Sequence, residues 1–270
     1  EGYLINQFLV KATNRRTDRW GGSFEKRMQF PLEIVREIKR AVGEEFLIMF
    51  RLSMLDLVAD GSNWEEVIQL AQALENEGVH VINTGIGWHE ARIPTIASLV
   101  PHGGFAWVTQ KMMGKVTIPL VTTNRFNMPD QVEQALRDGC ADLVSMARPF
   151  LADAHWIEKA KGHQPESINT CIGCNQACLD HIFKGKTATC LVNPRAGRET
   201  EKLEFSRTKK RVLVVGGGPA GMSCAAEASR NGHDVRLIEA SESLGGQFKL
   251  AQRIPGKEDF LETTRYFKNE

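Results

Sequence analysis

Phe46-Leu47-Ile48-Met49-Phe50-Arg51 and Val79-His80-Val81-Ile82-Asn83-Thr84-Gly85 decide the fold. Each is a short apolar run closing on polar or small residues, and a stretch of helical period lies between the two. The same pattern recurs downstream, so buried strands are predicted at Phe46 to Phe50, Val79 to Ile82, Pro119 to Thr123 and Leu143 to Met146. One predicted helix carries Met28, Leu32, Val35, Ile38 and Val42 on one face and stops at Gly43. A second opens with Ser62, three residues before Glu65, and stops at Gly78. A third follows Pro129 and ends at Gly139. From Phe24 to about Ala154 the chain is therefore α/β, built of βα units around a parallel sheet. Periodicity alone fits a (β/α)8 barrel and an open doubly wound sheet equally. In a barrel, Arg51, Asn83-Thr84-Gly85, Asn124-Arg125 and Ala147-Arg148 would follow the strands onto the C-terminal rim, where catalysis takes place. Four strands make half of such a barrel, its C-terminal half, and the first half is expected before Glu1.

The balance of charge narrows the function. The net charge of +1 comes from 34 basic and 33 acidic residues mixed along the chain, which argues against nucleic acid or an anionic membrane as partner and for small-molecule chemistry. No apolar run approaches the ~20 residues that span a bilayer, and the start lacks the order of a secretory signal, so the expected location is the cytoplasm. No obligate protein partner is evident. The chain opens without methionine, already core-like, and stops inside the helix-like pattern around Thr264-Arg265-Tyr266-Phe267, as an excerpt of a longer protein would.

Four of the six cysteines fall in one short segment: Cys171, Cys174, Cys178 and Cys190, spaced CxxCxxxCx11C. Clustered thiols without a secretory signal point to metal or redox chemistry. Four thiolates suit a [4Fe–4S] cluster or tetrahedral zinc; the three-residue middle gap departs from paired CxxC motifs and favours iron–sulfur. Residues 155–207 show little periodicity and read as a connecting segment that needs a metal to fold. Cys140 and Cys224 are expected to be buried packing residues.

From Lys209 the strand period resumes. Arg211 to Val215 is followed by Gly216-Gly217-Gly218-Pro219-Ala220-Gly221, a small-residue helix to about Ser229, and a strand at Asp234 to Ile238 ending at Glu239. This GxGxxG sits where a dinucleotide-binding βαβ unit needs it. Gly216 would make the tight turn, Gly218 let a pyrophosphate approach, and Gly221 let the helix pack closely on the strand, while Glu239 would accept a ribose hydroxyl. Ser243-Leu244-Gly245-Gly246-Gln247 resembles the segment after the acidic residue in flavoproteins with two dinucleotide-binding domains, where FAD fills the first site; Gly246 and Gln247 join the site on that basis.

Tyr3 and His89 are the candidate proton donor and its assistant. Tyrosine O–H can donate to a developing carbanion, and His89 follows the strand at Val79 to Ile82, on the catalytic side. Arg51, Arg125 and Arg148 all follow strands, where a phosphate tail would be held.

The strings EGYLINQF (1–8), RLSMLDLVADG (51–61), INTGIGWHEARIPTI (82–96), PLVTTNR (119–125), SMARPFLAD (145–153), CIGCNQACLD (171–180) and VVGGGPAGM (214–222) resemble old yellow enzyme-type barrels fused to an iron–sulfur segment and an FAD/NAD(P) reductase module. That family includes trimethylamine dehydrogenase and bacterial 2,4-dienoyl-CoA reductases; the strings most resemble the latter. The resemblance implies residues 1–160 as the C-terminal half of an FMN-binding TIM barrel, 161–207 as a [4Fe–4S] segment, and 208–270 as the start of a Rossmann-like FAD-binding domain. It implies a flow of electrons from NADPH through FAD, the cluster and FMN to a 2,4-dienoyl-CoA thioester, in the β-oxidation of unsaturated fatty acids. Tyr3 would then be the proton donor and His89 its assistant. Arg51, Asn124, Arg125, Ala147 and Arg148 would contact FMN, and His89, Glu90, Ala91 and Arg92 would face substrate. The four cysteines would hold iron–sulfur. An amine dehydrogenase or another NADH:flavin oxidoreductase of the family is the alternative.

Overall fold

The computed structural model describes residues 2–202 and 208–270; Glu1 and the last five residues of the expected cysteine segment, 203–207, lie outside the described residues. The chain divides into two compact units. The first comprises the chain through Ile96, with Pro101–Phe126 and Asp130–Met146; the second comprises Ala97–Val100, Asn127–Pro129 and everything from Ala147 on. The expected boundary at residue 160 thus differs from the division at Met146.

In the first unit, α1 (Leu4–Leu9), α2 (Phe24–Arg27) and α3 (Gln29–Val42) precede β1 (Met49–Leu55). There follow α4 (Trp64–Asn76), β2 (Val81–Ile86), α5 (Ala106–Met112), β3 (Leu120–Thr122), α6 (Pro129–Arg137) and β4 (Leu143–Val144). The four strands are parallel and pair in sequence order, β1-β2-β3-β4. That order, with no reversal, is the order of a barrel wall; a doubly wound sheet switches direction part-way. Leu52, Ile82 and Leu120 from the strands are buried with Val35 of α3, Leu70 and Leu74 of α4, and Val108 and Met112 of α5. Each such side chain contributes about 1.5–3 kcal/mol by leaving water.

Several elements shift from the sequence expectation. Phe46 and Leu47 are exposed, and β1 runs on through Arg51 to Leu55. Likewise Asn83, Thr84 and Gly85 lie within β2 and not after it. Polar side chains are tolerated inside these strands because Arg51 and Asn83 stand opposite one another and hydrogen-bond laterally. Helix α4 is capped by Asn63, one residue past the expected Ser62: Asn63 accepts from Glu66 N at 2.9 Å, and Glu66 returns an acceptor to Asn63 N. Ser62 is diverted because its amide donates to Asp56. Helix α5 was not expected, while α3 stops at Gly43 (φ 87°) as the pattern requires.

The second unit holds α7 (Arg148–Ala152), α8 (Trp156–Lys161), a 3-10 turn at Pro165–Ser167 and α9 (Leu179–Phe183), so the cysteine segment is more helical than its composition suggested. Then come β5 (Arg211–Val215), α10 (Pro219–Arg230), β6 (Asp234–Ile238), α11 (Phe248–Ala251) and α12 (Phe260–Asn269). Strands β5 and β6 are parallel neighbours, the βαβ arrangement expected of the glycine motif. Cys140 is half-buried against a small apolar cluster, but Cys224 is exposed on α10 and is not a packing residue.

Candidate active site

Within the first unit's sheet, polar side chains join across the strands. The Arg51 guanidinium (β1) donates to Asn83 Oδ1 (β2), Asn83 Nδ2 donates to Ser145 Oγ at 3.1 Å, and Ser145 Oγ reaches the Thr122 carbonyl (β3) at 3.3 Å. The sequence does not single out Ser145: it falls inside the strand predicted at Leu143 to Met146, where a lone serine carries no signal, whereas β4 ends at Val144. Past β3, Asn124 and Arg125 both adopt left-handed backbone, at φ 74° and 63°. Arg125 is buried; its carbonyl accepts from Gly103 N at 3.2 Å and contacts His102 Nδ1 at 2.9 Å, while Asn124 Nδ2 donates to the Thr95 carbonyl.

The two candidate proton carriers meet. Tyr3 Oη lies 2.6 Å from His89 Nε2, with the rings edge to face at 5.4 Å. Both are exposed, so the pair faces outward from the unit. With His89 neutral and protonated on Nδ1, Nε2 accepts and Tyr3 donates; a protonated imidazole reverses the direction. Glu90 and Arg92 are exposed beside them, and Ala91 N closes a turn onto the Trp88 carbonyl at 3.1 Å.

In the second unit, Cys171, Cys174, Cys178 and Cys190 line one cavity together with Arg148 and Asn175, with about 310 Å³ of empty space partly open to solvent. Among the described residues no three His, Cys, Asp or Glu are grouped to hold a single metal ion. Burial pushes the Cys171, Cys174 and Cys190 thiols up, Cys190 to about 11. Arg148, half-buried after the exposed Ala147, donates to Asn175 Oδ1 at 2.6 Å, so its guanidinium faces the cysteines. The segment is anchored by residues that spacing could not reveal: Asn127 Nδ2 donates to the Cys171 carbonyl at 2.8 Å, and Arg265 donates to Ile168 O (2.8 Å) and Thr170 Oγ1 (3.0 Å) just before Cys171.

The glycine turn is tightly packed on one side and open on the other. Gly216 takes φ 102°, and a Cβ on Gly221 would come within 1.9 Å of the Gly216 carbonyl oxygen. A Cβ on Gly218 would meet only Gly246 Cα, at 4.0 Å, leaving open space before the N-terminus of α10. Ala220 stands in the first turn of that helix, and Gln247 opens α11 just past Gly246. The Glu239 carboxylate is already engaged: Oε2 accepts from Gly217 N at 2.6 Å and Oε1 from Ser241 N at 2.8 Å. These amides, Ser241 first, hold it well below the usual carboxylate range, at about 2.

Residues 1–167 match the NADH:flavin oxidoreductase / NADH oxidase family, and 211–255 the FAD dependent oxidoreductase family. The chain is 43% identical over 270 residues to a metal reductase of Desulforamulus reducens, covering 99% of this chain and 40% of that protein. A 2-naphthoyl-CoA reductase in complex with 2-naphthoyl-CoA superposes with a TM-score of 0.94 at 38% identity, over 99% of this chain and 41% of the other. A histamine dehydrogenase from Rhizobium sp. 4-9 gives 0.86 at 29% identity, over 98% and 39%. The chain spans about two-fifths of the length of these relatives.

Proposed function

The chain belongs to the NADH:flavin oxidoreductase / NADH oxidase family, and from that membership we propose that it is part of a flavin-dependent reductase of conjugated acyl-CoA thioesters, with 2,4-dienoyl-CoA as substrate. The first unit would be the C-terminal half of a (β/α)8 barrel that binds FMN, in keeping with its sequential parallel strands. The cysteine segment would hold a [4Fe–4S] cluster: four thiols line one cavity, and their CxxCxxxCx11C spacing departs from the paired CxxC motifs of structural zinc sites. The βαβ unit would begin an FAD-binding domain, its open space at Gly218 fitting a pyrophosphate.

When bound, the flavins and the cluster supply hydride transfer to the substrate and a path for electrons from a nicotinamide. The chain's own residues do the rest. Arg51 and Arg125 offer fixed positive charge to an anionic phosphate tail, and the Asn83–Ser145 link keeps the Arg51 guanidinium from swinging away. Tyr3 holds a proton on Oη for the carbon next to the thioester, and His89 holds that hydroxyl and returns a proton to it through Nε2.

The Tyr3–His89 contact carries this reading, since reduction of an enoyl thioester needs a placed proton where oxidation of an amine does not. The relatedness to a reductase of an aryl-CoA thioester supports the substrate class. In the full-length protein, Tyr3→Phe is expected to slow reoxidation of the reduced flavin by 2,4-dienoyl-CoA by about 10²–10⁴, with reduction by nicotinamide kept. An undiminished reoxidation rate would remove Tyr3 from the reaction. NADPH is the reductant the dienoyl-CoA resemblance implies, whereas the family is named for NADH, so the reductive half-reaction is run with both. Relatedness to a histamine dehydrogenase favours an oxidative second reading, which predicts flavin reduction by an amine and none of the thioester chemistry.

A further inference from the structure

Asp56, just beyond β1, is only 3% exposed. A buried carboxylate is costly unless its oxygens are satisfied, and here three donors converge on it. Ser53 Oγ donates to Oδ1 at 2.6 Å, the Trp88 indole Nε1 to the same oxygen at 2.8 Å, and the Ser62 amide to Oδ2 at 2.8 Å. The backbone of the same residue adds a further hold: Trp88 N donates to the Asp56 carbonyl at 3.0 Å, beside Gly87 N to the Leu55 carbonyl at 2.6 Å. Trp88 is therefore fixed at both its amide and its indole by one residue of the neighbouring strand's loop. His89 is the next residue in the chain.

The other half of the pair rests on the same indole. Gly2 lies so close to it that a Cβ there would stand 3.3 Å from Trp88 Cδ2. Gly2 is also held from its own helix, its amide donating to Asn6 Oδ1 at 2.8 Å and its carbonyl accepting from Gln7 Nε2 at 3.0 Å. Tyr3 leaves from this fixed glycine, and His89 leaves from the fixed tryptophan. Both side chains are thus referenced to one buried carboxylate, although they are separated by 86 residues in sequence.

We infer that Asp56 is the positioning residue of the proton-donating pair, acting through Trp88 to set the Tyr3 Oη to His89 Nε2 distance. The inference rests on the reading of Tyr3 and His89 as proton carriers. Asp56 itself, buried, delivers no proton to substrate. Its two oxygens accept from all three donors, whereas an asparagine would turn an NH2 group toward at least one of them, at nearly unchanged volume.

The test uses the full-length holoenzyme with Asp56→Asn, Trp88→Phe and, as reference, Tyr3→Phe. Trp88→Phe keeps an aromatic ring near Gly2 while removing the indole N–H together with the second ring, so it tests the Asp56–Trp88 link if Asp56→Asn fails to fold. Because a displacement near 1 Å can lower a rate about 100-fold, both variants should slow thioester-dependent flavin reoxidation by about 10- to 100-fold. The fall should lie in kcat and not in KM, with a solvent isotope effect larger than in the parent. Independently of turnover, the nitrogen NMR signal of His89 Nε2 should move in both variants toward that of Tyr3→Phe. Slow Tyr3→Phe with parental rates and an unmoved His89 signal in Asp56→Asn and Trp88→Phe would overturn the positioning role and leave the function standing. A parental rate in Tyr3→Phe would overturn both.

Discussion

Gly221→Ala should empty the proposed FAD site without touching a ligand-contacting side chain. The added Cβ would stand 1.9 Å from the Gly216 carbonyl oxygen and 3.1 Å from its carbon. Real Cβ contacts do not fall below 3.0 Å, so helix α10 and the β5 turn must separate by at least 3.0 − 1.9 = 1.1 Å. The obstacle is backbone, so no side-chain rotation relieves it. Such overpacking costs about 1–3 kcal/mol, and it moves the amides at the start of α10 by roughly the amount that breaks a hydrogen bond to a phosphate. Gly218→Ala is the control: its Cβ meets nothing nearer than 4.0 Å and leaves the fold unstrained, but occupies the space through which a pyrophosphate would approach. Both variants of the full-length protein should lose FAD and keep FMN when released flavins are separated chromatographically. Only Gly221→Ala should also melt at lower temperature. Full FAD content in Gly221→Ala would refute the close-approach argument, and full FAD content in Gly218→Ala would refute the placement of the ligand over the turn.

Two further outcomes are expected. Glu239 has its pKa depressed to about 2, so its hydrogen bonds stabilise the turn above the ordinary carboxylate value of 4.5 and lose that effect as pH falls from there toward 2. The melting difference between the parent and Glu239→Gln should accordingly be full near neutral pH and close across that window; a difference that grows on acidification would contradict it. Arg265→Ala should release the Ile168 and Thr170 contacts ahead of Cys171 and lower the iron content of the anaerobically purified protein. Iron retained at the parental level would show that the segment holds its cavity without α12.

What the sequence displayed and what it hid divide along physical lines. Elements governed by repeated local preference were legible: the face from Met28 to Val42 with its stop at Gly43, and the strand–turn–helix at Val212 to Gly221. Strand ends were not, because Arg51 and Ser53 break the apolar pattern, and only pairing with β2 shows that they belong to β1. The Tyr3–His89 pair became visible through resemblance and not through spacing. Asp56, Ser145, Asn127 and Arg265 stayed hidden for a different reason. The bonds that tie them to the site reach far off in sequence, Asp56 to Trp88 among them, so no window of neighbouring residues contains both ends.

The loop after β3 holds two consecutive residues, Asn124 and Arg125, in left-handed backbone. Consecutive left-handed residues are rare outside glycine, and while asparagine tolerates the conformation, an arginine there costs of the order of 1 kcal/mol or more. Such strain persists only where neighbours over-determine it. Here they do: Thr95 takes the Asn124 amide, and Gly103 and His102 both meet the Arg125 carbonyl, all three from the connection between β2 and α5. That same connection begins at Trp88 and His89, which Asp56 ties to the loop after β1. The loops after β1, β2 and β3 are therefore interlocked in a chain, Asp56 to Trp88 and then Thr95, His102 and Gly103 to Asn124 and Arg125. The candidate phosphate arginine and the candidate proton carriers share one scaffold. A perturbation at Asp56 should consequently be felt first at His89, the residue next to Trp88, and only weakly at Arg125, whose carbonyl Gly103 and His102 hold.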